Sequence, residues 1–533
     1  MSDTTLIQGG TVYDGLGGPG QRADLLVDGD RIGAVVPPTD EPAAVDVLDA
    51  TGCAVAPGFI NILSHAYGTL QQDGRGLSDL RQGVTTEVFG EGLSLGPLTE
   101  ELAELVLGQL VEHSGVRHWW PRLADFLTSL QSRGVAPNVA SFVGAHNLRM
   151  SQAGADNRPL TGQELARAKA LLNEELADGA LGVGSALIYP PGSYASTEEL
   201  VEYARVIAEH DGLYISHIRS EGDRLLEGVR EVLTIAERSG VRSEIYHLKA
   251  VGKANWPQLS DAIHEINEAR AKGLAVTADV YPYTAGMTAL HAVIPPVLHD
   301  GGAPALLGRL RDHGFRAEVK RQIRTHEGDW ENLYQAAGGG TGILLLADLA
   351  DGRPYGGMTL TQIAAAQGQA DELDTLIDLV LAEPDLEAAY FMGHTDNIRM
   401  ALRQPWVSVG SDSEAISVEL AEHVPVHPRA YGAFARILGR YVREEGVLSL
   451  AEAIRRMTSL PADVLRLRGR GQLTVGSYAD VVVFDPQTIN DHATYAQPHQ
   501  YATGVRHVVV NGVVALRDGE PTGALPGRAL RRG

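Results

Sequence analysis

Cys53 is the only cysteine in the 533 residues. An internal disulfide and a cysteine-based zinc site are therefore excluded, and the usage suits a reducing cytoplasm. Within "TGCAVAPG" the thiol reads as a small buried hydrophobe before a turn rather than as a nucleophile. Positive charge is also scarce. The formal net charge is -23, spread along the chain, which disfavours nucleic acid and anionic lipid, since both depend on clustered Lys and Arg. No uninterrupted apolar run approaches the ~18–20 residues that span a bilayer. The opening "MSDTTLIQGG" has neither a basic nor an apolar leader region, so no export signal is expected. No GxGxxG opens a helix after a strand, which removes the fingerprint of a dinucleotide fold. Internal repeats, coiled coil and low-complexity tracts are absent as well.

What remains is the composition of a soluble enzyme, 44% hydrophobic and 21% charged, with 61 Gly and 26 Pro to supply turns. The length predicts two or three domains. Residues 1–58 carry short β-type runs such as "ADLLVDGDRIGAV", and the same texture returns in "GQLTVGSYADVVVFDP" and "VRHVVVNGVVALRDGEP". Both termini are thus expected to complete one small β domain, from 1–58 and 462–533. Between them, over 59–461, apolar runs at 57–63, 85–90, 139–144, 181–187, 213–218, 243–248, 276–283, 388–393 and 407–412 read as strands. Helical patterns with Ser/Thr caps and nearby Glu separate them, as in "TGQELARAKALLNEELADGA" and "STEELVEYARVIAEHDG". The count predicts an α/β protein with a (β/α)8 barrel; an open doubly wound sheet is the alternative. The rhythm breaks at about 290–350, where "PPVLHDGGAPALL", "RAEVKRQIR" and "AAGGGTG" predict an insertion over one barrel face.

In such a barrel the carboxyl ends of the strands meet at one catalytic face. Here the predicted strands end in His65, Glu91, His217, His247 with Lys249, and Asp412. His217 and His247 are roughly 30 residues apart, about one strand–helix unit, which makes the imidazoles neighbours. Imidazole and carboxylate at a strand-end mouth suit a borderline divalent metal such as zinc. Singly, each residue has a structural reading: a satisfied strand-end His, a helix N-cap for Asp412, a surface charge for Glu91. Their combination is what points to a site.

The chain resembles the amidohydrolase superfamily and, within it, the N-acyl-D-amino-acid deacylases. The resemblance runs nearly end to end. It rests on "APGFI", "QGVTTEVFG", "LGVGSALIYPPGSYASTEEL", "YISHIRSEGD", "YHLKAVGK", "DVYPYTAG", "VSVGSD", "HPRAYGAFARIL" and "GQLTVGSYADVVVFDP", in that order. It implies a metal-bearing (β/α)8 barrel, a small β-sandwich from both termini and a small inserted domain. It also exposes two departures. Where the family has Asp-x-His-Thr-His, this chain has Asn61, Ile62, Leu63, Ser64 and His65, so one of two metal positions loses a ligand. Where these enzymes place Asn-Cys-Gly, the chain has "FGEG", and Glu91 is the nearest ligand-type group.

The implied centre is one tightly held Zn2+ on Glu91, His217 and His247, with a second, weak site as an option and His65 as a substrate contact or a group behind the ligands. By the same resemblance Asp412 is the general base and acid, serving water activated by the zinc. Lys249 and Arg429 hold a substrate carboxylate. Tyr189 and Tyr281 line the pocket, and Met287 stands where a serine often helps bind that carboxylate. The expected activity is cleavage of N-acyl-amino acids, of the D series, to a carboxylate and a free amino acid. Two alternatives stay open: a relative acting on a cyclic amide, carbamoyl or ester substrate, and a non-catalytic scaffold of the same fold. The expected partner is a small molecule with a free carboxylate, with no nucleic acid and no membrane; a homo-oligomer is an option.

Overall fold

Short apolar runs bounded by glycine and polar residues become parallel strands buried on both faces, as barrel strands are. The structure is a computed structural model that describes residues 4–38, 46–100, 102–103, 119–326, 328–421 and 424–532. The first strand is Phe59–Asn61 and the second Val84–Phe89; the third is Asn138–Ser141, continued past Phe142 by Val143–Gly144. Then come Gly182–Ala186, Leu213–His217, Arg242–Ile245, Val276–Val280 and, as the eighth, Val407–Val409. Neighbours pair in parallel throughout. The ring closes between eighth and first strands, where Asp412 N–H donates to Leu63 O and His65 N–H to Ser413 O, both at 2.9 Å. The fold is therefore the expected α/β barrel, not an open sheet.

The crossover helices start where the caps predict. Thr161 and Glu164 form a reciprocal capping box at the head of Gly162–Ala177. Ser196 accepts from Glu199 N–H at the head of Thr197–Glu209. Each such cap stabilises its helix by about 1 kcal/mol. Among the described residues, no helix is long and apolar enough to cross a membrane.

One strand reading needs correction. Residues 388–393 do not join the barrel: Glu387–Phe391 is the centre of a three-stranded antiparallel sheet, between Ala285–Ala289 and Ile343–Leu345. This sheet and the helices around it form one excursion between the seventh and eighth barrel strands, which extends beyond 290–350 at both ends. It has an apolar cluster of its own, including Val319, Ile323, Leu376, Ile377 and Tyr390.

Both termini build a nine-stranded sheet. Ala54–Pro57 is its seam, parallel to Thr4–Val12 on one side and antiparallel to Val481–Phe484 on the other. The alternation along Val481–Phe484 divides the faces. Val481 and Val483 join Ile7, Leu25 and Ile32 inside the curled sheet, while Val482 and Phe484 pack with Phe59 and Phe434 against the barrel. Cys53 lies buried in the former cluster, as a small hydrophobe.

Candidate functional site

The strand ends bring the predicted polar groups to one mouth. Glu91 follows the second strand through Gly90, whose φ is +108° and where a Cβ would lie 2.4 Å from the Phe142 carbonyl oxygen. Only glycine permits that turn, which carries Glu91 over the barrel axis. His217 closes the fifth strand. His247 and Asp412 adopt φ of +35° and +54°, a backbone region costly for side chains larger than glycine and frequent at functional sites. The His247 turn is held by its N–H, which donates to Asp279 Oδ1 at 3.0 Å. The Asp412 turn is held from beneath, where Asn61 Oδ1 accepts Ser411 N–H at 2.9 Å.

Two groups of potential ligand atoms share one carboxylate. Glu91 Oε1 lies 2.9 Å from His217 Nδ1 and 3.2 Å from His247 Nε2. The two imidazole rings stand 4.4 Å apart and nearly perpendicular. Tetrahedral zinc with bonds of about 2.0–2.1 Å has donor–donor edges of about 3.3 Å; the three donors match it in number and type, the two edges from Glu91 are near that length, and all three atoms lie within 4.8 Å of one another. The other oxygen, Oε2, lies 3.2 Å from His65 Nε2, which in turn is 3.0 Å from Asp412 Oδ1. Glu91, His65 and Asp412 form the second group. Leu63 is fully buried beneath, packed toward Gly410, and offers no ligand.

Electrostatics keep the carboxylates ionised. Burial pushes Glu91 up, but hydrogen bonds from His217, His247 and His65 hold it well below the usual carboxylate range. Burial acts likewise on Asp412, and the Arg429 guanidinium with His65 holds it low. Burial lowers His65, yet Asp412 and Glu91 lift it to about 10.

Arg429 Nη1 donates to Asp412 Oδ2 at 2.7 Å, and Arg429 Nε is buried with no hydrogen-bond partner among the described residues. The guanidinium lies 4.8 Å from the Tyr281 ring and Lys249 Nζ 5.4 Å from it, so one aromatic face system serves two cations. Tyr189 packs at 5.4 Å against His217. Met287 stands apart from this network, paired with Ala389 in the excursion's sheet. A cavity of about 690 Å³ opens beside the cluster, with His65 and Tyr189 in its wall.

Glu221 escaped the sequence reading although "YISHIRSEGD" places it four residues after His217. Its Oε1 lies 2.9 Å from His247 Nδ1 and accepts from Lys249 Nζ at 2.6 Å; its Oε2 is 3.8 Å from His217 Nε2. Glu221 Oε1 and Lys249 Nζ, the latter at 2.8 Å, thus both meet His247 Nδ1 and fix the ring's orientation, with Nε2 toward Glu91. The excursion reaches this point too: Glu331 Oε2 accepts the backbone N–H of Glu221 at 2.8 Å and of Gly222 at 3.2 Å.

The comparisons agree with this geometry. A D-aminoacylase of Alcaligenes xylosoxydans xylosoxydans is 33% identical over 99% of this chain and 97% of its own. An N-acyl-D-glutamate deacylase of the same organism is 34% identical over 99% and 96%. The crystal structure of the Bordetella bronchiseptica N-acyl-D-glutamate deacylase, complexed with zinc and a phosphonate mimic of the tetrahedral intermediate, superposes with a TM-score of 0.82. It is 30% identical, with 100% of both chains covered. A D-aminoacylase studied for its binuclear metal centre superposes equally well at 31% identity. Residues 46–516 match the amidohydrolase family as a whole, and the chain belongs to that family, alongside the D-aminoacylases.

Proposed function

We propose that the protein is a metal-dependent hydrolase of N-acyl-amino acids, of the D series, releasing a carboxylate and the free amino acid. The observation that carries the reading is the convergence of Glu91 Oε1, His217 Nδ1 and His247 Nε2 next to Asp412. Those three residues would hold the ion. When bound there, zinc supplies Lewis acidity to the scissile carbonyl and brings the pKa of water toward ~7. His65, its Nε2 shared between Glu91 and Asp412, is a positioning residue for both. Asp412 takes a proton from water as its oxygen adds to the acyl carbon, and delivers that proton to the nitrogen as the C–N bond breaks.

Arg429, through its unspent Nε, and Lys249 anchor the substrate carboxylate, with Tyr281 fixing both cations in place. Tyr189 lines the approach to His217. Met287 offers no hydrogen bond to a carboxylate, which leaves that task to the two cations. The division into 1–58, 59–461 and 462–533, the cytoplasmic setting, the lack of nucleic-acid partners and a homo-oligomeric state belong to the same proposal. The test is hydrolysis of N-acetyl-D-amino acids beside their L enantiomers and hydantoins by zinc-loaded protein. Turnover confined to hydantoins contradicts the linear-amide reading.

A further inference from the structure

The terminal sheet sends one segment to the mouth of the barrel. Residues 485–504 connect Val481–Phe484 to Val505–Val510 and end in "DHATYAQPHQYATG". This segment grips the helix Arg429–Arg436 at both ends. At the far end Asp491 Oδ2 accepts from Arg436 Nη1 at 2.8 Å. Midway the two chains touch: a Cβ on Gly432 would lie 2.8 Å from Asp491 Cβ. At the near end His427 Nδ1 accepts the Arg429 backbone N–H at 3.0 Å, one of the first-turn donors that a helix leaves unmet. The other ring nitrogen, Nε2, lies 3.2 Å from Tyr495 Oη.

These contacts fix the ring's proton. A backbone N–H can only donate, so Nδ1 offers its lone pair. Burial, with the Arg429 charge beside it, holds His427 well below the usual imidazole range. The neutral ring therefore carries its proton on Nε2 and donates it to Tyr495. Tyr283 and Tyr495 wall the imidazole in, at 5.4 and 5.0 Å and nearly perpendicular to it. Tyr495 in turn packs at 4.7 Å on Phe391 of the excursion. One tyrosine thus joins the terminal sheet, the excursion and the residue behind Arg429.

We infer that Tyr495, acting through His427, is a positioning residue for Arg429, so that a loop of the terminal sheet completes the grip on the substrate's carboxylate. The inference rests on the deacylase reading and adds to that site a residue from outside the barrel. Arg429 has to present Nε to the substrate while Nη1 stays on Asp412. A side chain with two such tasks works only if the backbone it springs from is held to within about 0.5 Å. The bond from the Arg429 N–H to His427 supplies that hold, and Tyr495 keeps His427 in the orientation that accepts it.

The experiment is a double-mutant cycle on the zinc-loaded full chain, with the best substrate from a panel of N-acetyl-D-amino acids. Tyr495→Phe removes one hydroxyl and keeps the ring packing. Its KM is expected to rise roughly three- to ten-fold, by more than kcat falls. In an Arg429→Ala background the same change is expected to leave KM where it was, because the residue it acts through is gone. KM unmoved in Tyr495→Phe, or raised by the same factor with and without Arg429, overturns the inference and leaves the deacylase reading intact. If Arg429→Ala does not fold or turn over, the primary amide of the same N-acetyl-D-amino acid, which lacks the carboxylate, serves as a competitive inhibitor instead. Tyr495→Phe is expected to leave its Ki unchanged, and a Ki raised as much as KM overturns the inference. Turnover of no member of the panel by the wild type overturns the deacylase reading and this inference with it.

Discussion

Arg429 Nη1 is 2.7 Å from Asp412 Oδ2, so the cation proposed to anchor the substrate's carboxylate is also the counter-ion of the proposed base. Ground-state anchoring and proton transfer therefore meet on one guanidinium. Asp412→Asn keeps the shape and removes the proton acceptor. We expect metal content to be retained while kcat falls by about 10²–10⁴. Metal analysis beside steady-state kinetics checks this, and near-normal turnover removes Asp412 as the base.

The same pair fixes the sign of a pH effect. Burial alone raises the Asp412 carboxyl, and Arg429 brings it below its ordinary value. The ionised form is the working one, so activity is lost as pH falls through that pKa. Arg429→Ala leaves burial unopposed, and the acid limb of the kcat/KM profile is expected to move to higher pH, with KM raised by the lost anchor. A limb that moves to lower pH contradicts the pairing.

Glu221 is expected to act through His247. Removing the carboxylate in Glu221→Ala frees the imidazole to turn and leaves Lys249 without its anion. Zinc affinity, read by competition with a chromophoric chelator, is expected to drop about 10- to 100-fold, with partial recovery in Glu221→Asp. Unchanged affinity would mean that Glu221 serves only to pair Lys249.

The barrel, the capped helices and the strand-end polar groups were legible because each leaves a local mark. Strands buried on both faces read as continuous apolar runs, and Thr161 with Glu164 is a reciprocal cap visible at three-residue spacing. Glu387–Phe391 leaves the same apolar mark, since its sheet is covered by the excursion's own helices; periodicity does not distinguish a parallel barrel partner from an antiparallel one. Glu221 was hidden for another reason. Its place depends on a loop whose backbone is pinned by Glu331, far away in sequence, and no short motif encodes such a contact. Glu91 shows both sides: the strand end marks the position, and only the fold shows one carboxylate facing two clusters.

A buried acid away from the mouth gives a stability test. Burial and the nearby Asp279 push Glu244 up to about 8, while Thr277 and Ser408 hydrogen bonds oppose this only in part. A carboxyl whose folded pKa exceeds its unfolded value favours folding at low pH. That contribution is lost as pH rises from about 4.3 through the folded pKa. Glu244→Gln cannot ionise, so its thermal midpoint is expected to gain on wild type at pH 9 more than at pH 5. A constant difference across that range would place Glu244 outside the titration.

The central claim is one ion shared by Glu91, His217 and His247, and anomalous scattering at the zinc edge from zinc-soaked crystals addresses it directly. The expected result is one dominant peak within about 2.0–2.2 Å of a Glu91 carboxylate oxygen, His217 Nδ1 and His247 Nε2. A dominant peak on His65 and Asp412 that bypasses the two other imidazoles, or none under saturating zinc, would contradict it.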